Sequence, residues 1–312
     1  VVRINAFAAM MEEYLLREDV LAIKVLRARV EIDLVKIKSP DARAKVVLDL
    51  GQRMVAMGSS IEPADSISRV QRMADDSKEP LEKSVLISWL AVAHMNAGDK
   101  VQAKRQLRNA QTIAGQISLL SDRLSAFIKL ARRYYDVRNN TLASEILSEA
   151  SVLAAMKLEH QPRSVVFGKI ALAQAYMGDL VGARESIDNA AEGKGKQQLL
   201  VKVAEMLVDE QRFYEALSWM NTLEDEVEYS RLELRLSWAL FYAGRNREAL
   251  NRIEQSAPRV QQIYELPERG LLTSQYARFL ARLGKISRSE QLFKEAEAIS
   301  RELTGRKSKI NL

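Results

Sequence analysis

The chain has 312 residues, 47% of them hydrophobic, with 47 Lys and Arg against 41 Asp and Glu for a formal net charge of +6. It has no cysteine and only two histidines, His94 and His160, which excludes disulfides, thiol catalysis, a Cys/His dyad and a His-rich metal centre. Its longest apolar runs, Leu86 to Met95 and Leu199 to Val208, are interrupted by Ser, His or charged residues well short of a bilayer span, so no transmembrane helix is expected.

In chain order, one short phrase recurs about eight times. It consists of a small residue, a turn residue seven further on, and a second small residue five beyond that. A faint copy opens the chain at Met10, Arg17 and Ala22, and Gly51 with Gly58, followed by Pro63-Ala64, marks the next. The clear copies then run Ala91, Gly98 and Ala103; Ala171, Gly178 and Ala183; Ser237, Gly244 and Ala249; and Ala277, Gly284 and Ser289. Two intervening copies, Ala131 with Ala143 and Ala204 with Ala216, place Arg138 and Gln211 where the others have glycine.

Such a phrase predicts a helix, a tight turn and a second antiparallel helix, with the glycine in the left-handed conformation that ends the first helix. The two small residues let the helices approach closely while larger apolar neighbours interlock around the contact. Second helices carry one-sided apolar stripes, as in Ala103, Leu107, Ala110 and Ala114, or Ala183, Ile187, Ala190 and Ala191. A hairpin with one such stripe cannot bury it alone, so the hairpins must stack. The anchor residues 103, 143, 183, 216, 249 and 289 are separated by 40, 40, 33, 33 and 40 residues, so long and short repeats are mixed. Pro40, Pro80, Pro162 and Pro267 precede Gly58, Gly98, Gly178 and Gly284 by 18, 18, 16 and 17 residues, and each is expected to start a first helix. No Pro, Gly and Ser-rich stretch separates two blocks of pattern, which makes 1–312 one array: divergent repeats over 1–79, well-defined repeats over 80–300 and a basic tail over 301–312.

With an apolar residue four after the second small one (Leu107, Leu147, Met220, Ile253, Phe293) and often a small one at seven (Ala110, Ala150, Ala190, Ala296), the phrase resembles the tetratricopeptide repeat. The 33-residue copies are near that family's usual length, and the 40-residue copies look like its lengthened variety. The resemblance implies an all-α, right-handed superhelical solenoid of about eight antiparallel hairpins. It also implies a concave face lined by first helices, with exposed positions one, four and five residues after the small residue.

In this chain those positions hold Val92, Met95 and Asn96; Arg132, Tyr135 and Asp136; Leu172, Ala175 and Tyr176; Glu205, Val208 and Asp209; Trp238, Phe241 and Tyr242; and Arg278, Ala281 and Arg282. Aromatic and arginine side chains dominate binding hot spots, which makes Arg132, Tyr135, Tyr176, Trp238, Phe241, Tyr242, Arg278 and Arg282 the candidate partner-binding residues. The alternative is that Phe241 and one of Trp238 or Tyr242 pack between hairpins. The family's carboxylate clamp is not met, since Ser88, Val92 and Asn96 stand where Lys, Asn and Asn would be needed.

Catalytic chemistry is not visible, and no metal site or cofactor is expected. His94 is read as a packed core residue, matched by Tyr134 one repeat on, and His160 as a solvated loop residue. Gly193-Lys-Gly-Lys196 lacks the spacing of a phosphate loop and reads as a flexible link between long and short repeats. The acidic runs Asp75-Asp76 and Glu224-Asp225-Glu226 read as solvated turns. The basic C-terminal third, interleaved with Glu248, Glu254, Glu265 and Glu290, favours a protein or peptide partner over nucleic acid or an anionic polysaccharide. The function expected is therefore a non-enzymatic scaffold that holds a peptide or helical segment, within a bacterial assembly such as envelope export or pilus machinery. The alternative is the ligand- or partner-sensing arm of a bacterial transcriptional or signalling regulator. The start at Val1 suggests a processed or truncated chain, and the absence of cysteine leans toward the periplasm over the cytoplasm.

Overall fold

A computed structural model describes Met10, residues 20–56 and residues 62–310 of the chain. Those residues form fifteen helices and no strand. They are α1 (Val20–Val35), α2 (Pro40–Ala56), α3 (Glu62–Asp76), α4 (Pro80–Asn96), α5 (Lys100–Gly115), α6 (Leu120–Asp136), α7 (Asn140–Lys157), α8 (His160–Met177), α9 (Leu180–Ala190), α10 (Gly193–Asp209), α11 (Phe213–Met220), α12 (Glu226–Tyr242), α13 (Asn246–Gln262), α14 (Leu266–Arg282) and α15 (Ile286–Ile310). Two compact units are distinguished, 1–173 and 174–312, with the division inside α8. The expected turns at Arg17 and Gly58 lie outside the described residues.

Six turns close by the same pair of backbone hydrogen bonds. The residue after the left-handed position donates to the carbonyl five residues back and the left-handed residue itself donates to the third carbonyl before it: Asp99 to His94 and Gly98 to Met95, Asn139 to Tyr134 and Arg138 to Tyr135, and likewise at 178, 211, 244 and 284. Gly98, Gly178, Gly244 and Gly284 have φ of 84, 90, 77 and 76°, and Arg138 and Gln211 hold the same conformation at 64 and 57°. The phrase therefore sets the turn even where its glycine is missing, and two L-residues carry the cost of a left-handed backbone. In the long repeats Asp99, Asn139 and Asp179 then cap the second helix, accepting from the amides of Gln102, Leu142 and Gly182. In the short repeats Arg212 and Arg245 occupy that position and pair with Glu215 and Glu248 instead.

All the small residues of the six clear phrases are buried. Their contact is direct in the last repeat, where Ser289 Oγ donates to the carbonyl of Ala277 at 2.8 Å. Ala103, Leu107, Ala110 and Ala114 form the buried stripe of α5, as do Ala183, Ile187 and Ala190 on α9, whereas Ala191 is half-exposed beyond the helix end. In the first unit α2, α4 and α6 pack side by side, each backed by its hairpin partner α3, α5 or α7. In the second unit α10, α12 and α14 do the same, backed by α11, α13 and α15. The expected prolines sit in first turns: Pro40 and Pro80 begin α2 and α4, and Pro162 and Pro267 are the third and second residues of α8 and α14.

Four local expectations are corrected. Gly193 to Lys196 is the first turn of α10 rather than a flexible link, because Gly193 takes φ of 51° at the bend and Lys196 reaches Asp188 at 2.6 Å. Residues 301–310 continue α15 rather than forming a tail, and His160 opens α8. His94 is half-exposed, while its counterpart Tyr134 is buried with its hydroxyl donating to Gln111 Oε1 at 3.0 Å.

Candidate functional site

The first helices of the first unit are bound to one another by a polar network. Trp89 on α4 donates its indole N–H to Asp41 Oδ1 on α2 at 2.7 Å, and Lys129 on α6 reaches Asp41 Oδ2 at 3.1 Å. Arg133 on α6, itself paired with Asp136, lies flat over the Trp89 ring 3.5 Å from its centroid. Burial raises the Asp41 carboxyl pKa, but Lys129, the indole N–H and Arg133 outweigh it and hold the group below its ordinary value. The carboxylate, indole N–H and ammonium of this set are engaged with one another across α2, α4 and α6, so it joins three repeats. Arg132 and Tyr135 lie half-buried on α6 in the same unit.

The second unit has its own internal network. Glu233 on α12 is 1% exposed, accepts from the Tyr229 hydroxyl at 2.8 Å, and is held by the Arg252 guanidinium of α13. Arg259 covers the Tyr229 ring at 4.0 Å, and burial together with Glu233 raises the Tyr229 pKa. Burial likewise pushes up the Tyr276 hydroxyl, which donates toward Ser230 O and Ser256 Oγ, each at 3.1 Å. Arg212 donates to the carbonyls of Ala175 and Tyr176 at 2.6 and 2.9 Å, satisfying the end of α8 and fixing the backbone beneath half-buried Tyr176.

On the outer face of α12, Arg231, Arg235, Trp238 and Tyr242 fall at helical spacings of four, three and four, which places them on one stripe. Arg231 crosses to Glu268 on α14 at 2.6 Å, and Arg235 crosses the other way to Glu205 at 3.1 Å and Asp209 at 2.9 Å on α10. Beyond these ion pairs the stripe becomes aromatic. Trp238 stacks on Tyr242 with centroids 5.7 Å apart and rings 24° from parallel, and meets Phe279 of α14 edge-on at 4.7 Å. Phe241 packs edge-on against Trp238 at 5.9 Å and Phe279 at 6.2 Å. Phe279 is fully buried and anchors the cluster, Trp238 and Phe241 are half-exposed, and Tyr242 is 78% exposed. Among the described residues neither the Trp238 indole N–H nor the Tyr242 hydroxyl has a hydrogen-bond partner.

Of the eight candidate residues, the structure gathers Trp238, Phe241 and Tyr242 into one cluster. It places Arg278 and Arg282, both exposed, on the adjacent helix α14. The position four after the small residue is more enclosed than expected: Ala175 and Val208 are buried and Phe241 is partly so. The position five on is the most open, exposed at Asn96, Asp209, Tyr242 and Arg282, whereas the position one on is half-buried in every repeat but the last, where Arg278 is exposed. Sequence reasoning missed the Asp41 to Arg133 network, whose signal was the register two before the small residue, occupied by Trp89, Lys129 and Lys169. Among the described residues no cluster of His, Asp and Glu could hold a metal ion, and no helix is long and apolar enough to cross a membrane.

No family model and no curated protein matches the chain. Solved structures do resemble it. The protein Ton1535 from Thermococcus onnurineus NA1 aligns at TM-score 0.50 with 13% identity over 93% of this chain and 98% of that one. A signal transduction ATPase with a tetratricopeptide repeat sensor from Pyrococcus horikoshii aligns at TM-score 0.35 with 13% identity over 99% of this chain and 49% of that one. A Rap protein in complex with competence and sporulation factor aligns at 0.34 with 11% identity over 97% and 99%. The chain has a tetratricopeptide-like helical-repeat fold.

Proposed function

We propose that the chain is a non-enzymatic protein-interaction module that holds a peptide or helical segment of a partner against the outer face of α10, α12 and α14. The observation that carries this reading is the stacked pair Trp238 and Tyr242, which leaves two aromatic faces and two unused polar groups at the surface of a rigid, ion-paired helix layer. Exposed aromatics on a preordered surface lose little entropy on binding, and they contribute most where a ligand excludes water from them. The occupant is taken here to be a short segment. The setting in a bacterial envelope-export or pilus assembly belongs to this proposal and rests on the resemblance alone.

A photo-crosslinking side chain at Tyr242 tests the reading, with a second at Tyr264, which is 91% exposed on the α13–α14 connection, as control. Crosslinks to one partner segment from position 242 and none from 264 support it. Equal labelling from both positions contradicts it.

A further inference from the structure

We infer that the segment held on this face is acidic: it carries at least two carboxylates beside an apolar or aromatic residue, and it sets them on Arg278 and Arg282. The inference rests on the interaction reading above and specifies its ligand.

Three neighbouring helices present the same two register positions in turn. They are Glu205 and Asp209 on α10, Trp238 and Tyr242 on α12, and Arg278 and Arg282 on α14. From α10 to α14 the face therefore passes from acidic to aromatic to basic. The two charged sides are not equivalent. Glu205 and Asp209 share one cation, Arg235 from α12, which offsets their charge only in part. Arg231 on α12 is engaged as well, with Glu228 and Glu268. Arg278 and Arg282 are exposed and have no ion pair among the described residues. The helix gives them none, because the sequence from Gly270 to Arg282 holds no Asp or Glu, and the turn beyond and the start of α15 add Lys285 and Arg288.

Two guanidiniums one helical turn apart are separated by about 6 Å at their Cβ atoms. Carboxylates two residues apart on an extended chain, at about 3.3 Å per residue, or four apart on a helix, match that spacing. Phe279, next to Arg278 and one turn before Arg282, is the residue against which Trp238 packs, so a carboxylate on the arginines brings its neighbouring side chain over the aromatic pair. Paired guanidinium and carboxylate groups are also strengthened where the aromatic surface excludes water. A nucleic-acid strand fits less well. Its charge recurs at every nucleotide, and laid across the aromatics it would meet Glu205 and Asp209 on the far side.

The test is selection from a displayed library of random twelve-residue peptides on the immobilised full chain, compared with R278E/R282E, the milder R278Q/R282Q, and W238A/Y242A, with circular dichroism confirming each fold. On the native chain the enriched peptides are expected to share two Asp or Glu at the stated spacing next to an aromatic or aliphatic residue. Replacing those acids by amides should weaken binding at least about tenfold. R278E/R282E should select Lys or Arg at the same places, and R278Q/R282Q should lose the charge preference while keeping the apolar one. Enrichment of apolar peptides without a charge preference, lost in W238A/Y242A, would overturn the acidic ligand and leave the interaction site standing. Acidic peptides that bind W238A/Y242A as well as the native chain would overturn the site itself. No enrichment over the bare support would overturn both. A twelve-nucleotide single strand that binds as tightly as the selected peptides and displaces them would overturn the choice of a peptide.

Discussion

Replacing Gln211 by glycine should stabilise the second unit, although glycine usually weakens a helical protein. Gln211 has φ of 57°, in a region where an L-residue places its Cβ against the following carbonyl. The strain is worth about 1 to 2 kcal/mol, and glycine returns about 0.5 to 1 kcal/mol of it through the greater freedom of the unfolded chain. A net gain of about 0.5 to 1 kcal/mol follows. Nothing offsets it, since the Gln211 side chain is exposed and makes no hydrogen bond among the described residues, while its amide bond to Val208 O at 3.0 Å is kept. The opposite change at an equivalent turn is the control. A Cβ added at Gly244 meets nothing within 4 Å, so Gly244→Ala introduces strain without a clash and should cost about 1 kcal/mol. In a unit of this size 1 kcal/mol moves the melting midpoint by about 2 to 4 °C, well within reach of a thermal scan or urea titration. If Gln211→Gly destabilises and Gly244→Ala is neutral, the turn geometry assigned to the repeat is wrong.

Ala204 is fully buried where first and second helices meet, so Ala204→Leu should overpack the contact and cost about 1 to 3 kcal/mol in urea denaturation. Breaking the buried pair with Glu233→Gln should cost about 3 kcal/mol, and Glu233→Leu combined with Arg252→Met should recover much of it, a comparison read by the same titration. Asp41 has a folded pKa below its ordinary 3.8, so its contribution is complete above that pH and fades as the pH falls through the folded value. The stability difference between the native chain and Asp41→Asn, followed from neutral to acid pH, should therefore be level at first, shrink once the pH falls below the ordinary 3.8, and level again below the folded value. A difference that grows on acidification would reverse the sign assigned to the site.

The fold was readable because its determinants are local. A small residue, a left-handed turn and another small residue fix each hairpin, and the register is strong enough that Arg138 and Gln211 adopt the glycine conformation. Within the site, the exposure of Tyr242, Arg278 and Arg282 followed from the same register, whereas Trp238 is half-covered by Phe279 and Phe241. The inward lean of Ala175, Val208 and Phe241 did not, because it depends on which neighbouring helix packs against that turn. The network joining Asp41, Trp89, Lys129 and Arg133 was hidden for a related reason: its members lie on three helices, and only the tertiary stack brings them together. Lys196 illustrates the limit of composition, since a Gly and Lys-rich stretch that reads as a linker is a helix start in which the amides of Gly195 and Lys196 donate to Glu192 O.

The central claim is that Trp238 and Tyr242 form a binding surface, and the most direct measurement is the affinity of a selected partner segment for the native chain and for W238A/Y242A, with helical circular dichroism recorded on both. The double substitution should weaken binding by at least about 2 kcal/mol, close to thirtyfold, with the helical signal unchanged. Equal affinity for the two proteins, or loss of the helical signal along with binding, would contradict it and return these aromatics to the packing of the repeats.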